Sequence, residues 1–274
     1  MTLKNLLVAY SGEASFESSL AHAIKLAVQY DAWLTVVMRN GASYIDKFGA
    51  GLTAALRSQL RSLDEADVEK AIQIFNATVE KAGIQDRAEF LLPGQLGDLL
   101  PSEMARHYDL VITGFHSELA SEGHHAANPD LIALRSGRPV VVVPDSYVTP
   151  ELADHVLVAW DDKRSAARAL GDAMYVLEGK RKATILTIGG AKPEMPVDGG
   201  ILRHLERHGV DARHLHKEHR SGSIASIIKD TADEVGAKLI VMGAYEHSKL
   251  TQDLFGGVTH DVIRTARVPV FMAH

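Results

Sequence analysis

Apolar residues in this chain fall in runs of five to seven, each bounded by Gly, Pro or Asp, and the runs alternate with stretches of helical spacing. Short, nearly continuous apolar runs predict strands buried on both faces of a parallel sheet. Leu6–Tyr10 is the first such run. Phe16, Leu20, Ile24 and Ala27 then recur on one face and predict a helix over Ala14–Gln29. Strands follow at Trp33–Met38 and Ala88–Leu92, with a helix over Leu96–Arg106. Between them lies a long helical stretch, extended or broken, from Tyr44 to Ala82, in which Leu52, Leu56, Leu60, Leu63, Ile72, Phe75 and Val79 keep three-to-four spacing. Alternating strands and helices predict an α/β fold, a doubly wound parallel sheet covered on both faces.

The same order of landmarks occurs twice. Leu6-Leu7-Val8-Ala9-Tyr10-Ser11 corresponds to Val156-Leu157-Val158-Ala159-Trp160-Asp161, and Asp109–Gly114 corresponds to Lys238–Gly243. Each half closes on a Pro-led strand, Pro139–Val143 and Pro269–Met272. The second copy is predicted to hold a helix at Ser165–Leu177, strands at Thr184–Ile188 and Ala212–His216, and a helix at Ser223–Val235. This is a tandem duplication, with units at 1–147 and 151–274 and a seam near Asp145–Glu151. The first unit has an enlarged second helix, and its counterpart, Gly200–His208, is short. An unpaired, strongly apolar Pro-led strand invites association, so the two such strands are the expected contact between the units.

Composition narrows the function classes. The 274 residues contain no Cys, which removes disulfides, thiol catalysis and thiolate metal sites, and makes the cytoplasm the natural compartment. A net charge of −6 without a basic block leaves no footprint for nucleic acid. No apolar run reaches the ~20 residues of a membrane span, and the N-terminus lacks the long apolar stretch of a secretory signal. There is no Gly-x-Ser-x-Gly elbow, no Walker lysine loop and no His-Glu-x-x-His, so no catalytic residue is assigned.

Ligands of doubly wound sheets sit beyond the carboxyl ends of the strands. In the second unit those ends are Trp160-Asp161-Asp162 and the loop Gly243–Thr259, where Gly256-Gly257 precede a helical segment, Val258–Ala266. Glycines at a strand end and a helix start let backbone approach a ligand, and free helix N-terminal amides favour phosphate. Two turn glycines and a helix cap account for the same pattern without a ligand. The segment VMGAYEHSKL…LFGGVTHDVIRTARVPV resembles the closing segment of the universal stress protein family, and the resemblance covers both halves, in the tandem form. It implies a five-stranded parallel sheet per half, of the adenine nucleotide alpha hydrolase-like type. It further implies an adenine nucleotide, ATP or AMP, in the second unit, with Mg²⁺ possible and no dedicated metal site. The residues implied are Asp161, Ile188 (or Thr187), Gly243, Gly256, Gly257, Val258 and Thr259. The role implied is a regulatory or binding module, at most a weak ATPase; the alternatives are an interaction protein with vestigial pockets and a slow ATP hydrolase. Intramolecular pairing of the two halves, as in family dimers, is implied as well, and a further homodimer is open.

The chain departs from the family pattern at named positions. Glu246 stands where the second glycine belongs, Gly257 where a small hydroxyl residue belongs, and Asp162 in place of a small residue. A carboxylate beside polyphosphate costs on the order of 1–4 kcal/mol. The first unit departs further: Ser11 replaces the Asp, and Gly114-Phe115-His116-Ser117 leads into Leu131 without a Gly-Gly-Val-Thr counterpart. Two histidine clusters stand out among fourteen histidines, one at His214, His216 and His219, the other at His116, His124 and His125. Solvated histidines explain both; His214 and His216 on one strand face also have the spacing of a partial metal site.

Overall fold

The computed structural model describes residues 3–38, 51, 53–92, 95, 99–115, 127–145, 147–148, 154–178, 182–189, 199–219, 222–244 and 257–274. The first half runs β1 (Asn5–Ala9), α1 (Glu13–Tyr30), β2 (Trp33–Val37), α2 (Ala54–Ala82), β3 (Ala88–Leu91), α3 (Pro101–Met104), β4 (Leu110–Gly114), α4 (Pro129–Ser136) and β5 (Val140–Val143). The second half repeats it as β6 (His155–Ala159), α5 (Arg164–Leu177), β7 (Lys182–Gly189), α6 (Gly200–Arg207), β8 (Asp211–Glu218), α7 (Ile224–Val235), β9 (Leu239–Gly243), α8 (Val258–Thr265) and β10 (Val270–Ala273).

Local chemistry sets the element ends. Residue Thr53 caps α2 by accepting a hydrogen bond from the Leu56 amide (3.3 Å), and Gly83 ends it in the left-handed region at φ 67°. The stretch is thus one 29-residue helix from Ala54; Leu52, and the side chains of Leu60 and Leu63, lie outside the described residues. Its C-terminal part buries Ala71, Phe75 and Val79, while Leu56 near its start is exposed. The expected helix Leu96–Arg106 is shorter than its apolar spacing suggests. Leu100 is extended before Pro101, which takes the first helical position, and α3 runs only to Met104 before a 3₁₀ turn at Ala105–His107.

All ten strands form one sheet in the order β3-β2-β1-β4-β5-β10-β9-β6-β7-β8. Each half is a parallel five-stranded sheet. The halves join antiparallel through β5 and β10, with Val142 opposite Val270, Val141 opposite Phe271 and Val140 opposite Met272. The two Pro-led strands therefore complete each other's hydrogen bonding, and every residue from Val140 to Val143 and Val270 to Ala273 is at most 2% exposed. Side chains alternate across the sheet into two cores. One packs under α1, α2, α5 and α6 around Phe16, Leu34, Leu170 and Phe271. The other packs under α3, α4, α7 and α8 around Ile132, Val142, Ile228 and Ile263.

Helices α1 and α5 start hard against the ends of β4 and β9. A Cβ on Gly243 would fall 2.5 Å from Ser165 Oγ and 2.6 Å from the Ala166 nitrogen, so only glycine lets the first turn of α5 seat there. Replacing Gly243 by Ala should push the α5 backbone away and cost about 1–3 kcal/mol in urea unfolding. Gly171, inside α5 and with nothing within 4 Å of its missing Cβ, should respond oppositely: Gly171→Ala is expected to stabilise by about 1 kcal/mol.

Burial, with a smaller contribution from Lys25, lowers the pKa of His22 on α1 from 6.5 to about 4. The folded chain keeps this imidazole neutral where the unfolded chain takes up a proton. Stability is therefore full above pH 6.5 and is lost as pH falls toward 4, by roughly 3 kcal/mol at most. Urea denaturation at pH 7.0 and 4.5 should show a larger drop for the native sequence than for His22→Gln.

Candidate functional site

The carboxyl ends of β6, β7 and β9 lie side by side, with Ala159 level with Leu186 on one side and Met242 on the other. The Trp160 amide donates to Leu186 O (2.8 Å), which holds the chain in line for one residue past the strand. Asp161 follows, its side chain half exposed; Oδ1 accepts from the Lys163 amide (3.2 Å) and Oδ2 lies 3.6 Å from Lys163 Nζ. Asp162 then turns into α5 through the left-handed region at φ 61°. Asp161 and Asp162 thus serve as turn residues at a strand end, with the Asp161 carboxylate presented to solvent.

The other expected residues separate into three groups. Gly243 closes β9, but its glycine character is required by the α5 packing described above. At the end of β7, Ile188 packs against the α7/α8 core, while Thr187 on the opposite face carries a hydroxyl within 2.8 Å of His214 Nε2 and 2.9 Å of His216 Nδ1. Gly256 and Glu246 lie outside the described residues. Gly257 flanks α8 at φ 152°, ψ 166°, a conformation open to glycine, and nothing lies within 4 Å of its missing Cβ. Among the described residues no side chain caps α8, and the amides of its first turn, from Val258 through His260, have no acceptor within the helix. Val258 is partly exposed and Thr259 is buried. An uncapped helix start beneath a side-chain-free residue can hold an anionic oxygen, and an exposed carboxylate at the neighbouring strand end can accept from N–H or O–H groups.

The same positions of the first half are closed. Ser11 is fully buried, accepts the Gly114 amide (2.8 Å) and shares a hydrogen bond with Ser15 Oγ (2.8 Å). The Ala127 amide donates to Tyr10 O (2.7 Å), and Thr113 Oγ1 donates to Ala9 O (2.9 Å). Helix α4 is capped by Asn128, whose side chain accepts the Leu131 amide (3.2 Å), and it carries Asp130 in its first turn. Carboxylate and cap together take up what an anion would use. The sequence signal for this closure is Asn128-Pro129-Asp130 at a helix start.

Of the histidine clusters, His116, His124 and His125 lie outside the described residues. His214 and His216 do share a strand face, but they converge on the Thr187 hydroxyl. No group of three His, Asp or Glu that would hold a metal occurs among the described residues. On the other face of β7, His155 Nε2 meets Thr184 Oγ1 at 2.9 Å, and burial with the Arg213 charge lowers the His155 pKa. A cavity of about 300 Å³ lies between α2 and β3, bounded by Phe75, Val79, Glu80 and Gln85, away from the strand ends. No helix among the described residues is long and apolar enough to cross a membrane.

The model of the Universal stress protein family matches residues 153–274. The chain is 25% identical over 290 residues to universal stress protein Slr1230 of Synechocystis sp., covering 98% of this chain and 99% of that one. In fold it is similar to a universal stress protein from Archaeoglobus fulgidus DSM 4304, with a TM-score of 0.71 at 19% identity over 98% of this chain and 96% of that one. Residues 153–274 thus match the Universal stress protein family model, and over nearly its whole length the chain is similar to a universal stress protein.

Proposed function

We propose that the chain is a regulatory binding module of two domains, 1–147 and 151–274, that takes an adenine nucleotide, ATP or AMP, in the second domain only. The observation that carries this reading is the contrast between equivalent positions. Ser11 is buried and bonded to the Gly114 amide, whereas Asp161 is half exposed; α4 is capped by Asn128, whereas α8 starts uncapped at Gly257. In this reading Asp161 accepts from the base or ribose, Ile188 and Gly243 frame the base, and Gly256, Gly257, Val258 and Thr259 hold phosphate by backbone amides and one hydroxyl. Mg²⁺ would bridge phosphate to Glu246, relieving a like-charge contact. Absence of Cys fits work in the cytoplasm.

A second reading, an interaction protein with vestigial pockets, is favoured by the packing reason for Gly243, which explains that motif residue without a ligand. Calorimetric titration of the ligand-stripped protein with ATP and AMP, with and without Mg²⁺, separates the two. Binding of one nucleotide per chain is expected, weakened about tenfold or more in Asp161→Ala and unaffected by Ser11→Ala. In the absence of Mg²⁺, Glu246→Gly should tighten ATP more than AMP, because the repulsion grows with phosphate charge. No heat and no retained nucleotide would favour the vestigial reading. Phosphate release above blank that disappears in Asp161→Ala would instead identify a slow hydrolase.

A further inference from the structure

The antiparallel join of β5 and β10 is an interface between two copies of one fold, and at its centre each copy meets its own equivalent position. The closing strands correspond with an offset of 130 residues, Pro139 to Pro269, and Val141 lies opposite its own equivalent, Phe271. The same relation holds one layer away from the sheet. Asp130 in the first turn of α4 and His260 in the first turn of α8 are equivalent positions by the same offset, and they meet: His260 Nδ1 lies 3.4 Å from Asp130 Oδ2. Asp130 is buried, with 7% of its side chain exposed, and His260 is mostly covered at 22%. The His260 ring is held edge-on against Phe115, centroids 5.3 Å apart. An isologous contact on a twofold axis pairs a residue with its own copy. Two copies of the first half joined this way would bring Asp130 against Asp130 in a dry site, and two carboxylates there could not both stay ionised. Two copies of the second half would bring His260 against His260. Unlike halves place a carboxylate acceptor against a ring N–H, whereas two carboxylates repel and two imidazoles are left with at most one N–H···N bond.

We propose that the Asp130–His260 pair makes the seam selective for unlike halves, so that the β5 edge accepts a partner with a donor or cation at the axis and rejects a second copy of itself. The partner chosen is the second half of the same chain. Selectivity of this kind is a difference between two pairings, built as much from the repulsion in the wrong one as from attraction in the right one. The inference is independent of any nucleotide.

The test is a charge-reversal cycle in the full-length chain, read by native-state hydrogen exchange of the seam amides in Val140–Val143 and Val270–Ala273. His260→Asp, giving Asp against Asp, and Asp130→His, giving His against His, should each speed seam exchange about fivefold or more. The double reversal Asp130→His/His260→Asp should return exchange to within about twofold of the native chain. A milder cycle, Asp130→Asn, His260→Gln and both together, covers the case in which a reversed chain fails to fold. There the double variant should lose clearly less than the product of the two single losses. Mixing the two single-reversal chains should further yield exchanged dimers of twice the mass by native mass spectrometry, since each chain then supplies the half the other lacks. Multiplicative losses in both cycles, with no exchanged dimer on mixing, would overturn the proposal and reduce the pair to a packing contact.

Discussion

Everything in this molecule depends on the hydrogen bonding between two four-residue strands, β5 and β10. Each is almost wholly apolar, VVVV and VFMA, and each would be the open edge of its own five-stranded sheet. A row of unpaired amides and carbonyls on such a strand cannot be left in water without risk of association. Joined antiparallel, the two strands satisfy each other and become the centre of a ten-stranded sheet, the most protected place in the chain. The remaining edges, β3 and β8, can be open because they are different in kind. β8 carries Arg213, His214, His216, Lys217 and Glu218, and its side chains are largely half-buried or exposed, so another strand gains little by adding there.

Duplication starts with identical halves, but the fold of the halves has stayed alike while their strand ends have diverged. In the first half, small side chains do the closing. Ser11 reaches the Gly114 amide, Ser15 reaches back to Ser11, and Asn128 takes an amide of α4. In the second half Asp161 is too large and too charged to be buried in this way, and Gly257 has no side chain with which to cap α8. Among the described residues, side chains at Ser11 and Asn128 thus take up backbone amides at the first strand end, while Asp161 and the start of α8 leave them to other partners.

The architecture was legible in the sequence because it is written in repeated, redundant signals. Apolar runs such as Leu6–Tyr10 and Val156–Trp160 are long enough, and the Pro-led strands apolar enough, that both the strands and the pairing of Pro139–Val143 with Pro269–Met272 could be read from burial alone. Single-residue decisions were less visible. Leu99 and Leu100 look like helix interior until Pro101 is recognised as a first helical position. Gly243 reads as a ligand glycine; its close approach to Ser165 and Ala166, residues 78 and 77 positions earlier, is a second reason for glycine that no local pattern shows. His214 and His216 have the spacing of a partial metal site, but no local pattern shows that Thr187, across the ladder, engages both. The Asp130–His260 contact depends on a 130-residue offset and on the register of one strand pair, and neither is local.

The first turn of α8 is shared property. Thr259, a site residue implied by the sequence, is buried in this turn, and His260, its immediate neighbour, touches Asp130 and Phe115 of the first half. Consecutive residues of one helical turn are rigidly connected through the backbone, so a displacement of Thr259 is a displacement of His260. If the proposed nucleotide reading holds, a ligand engaging Thr259 would bear directly on the contact that His260 makes with the first half.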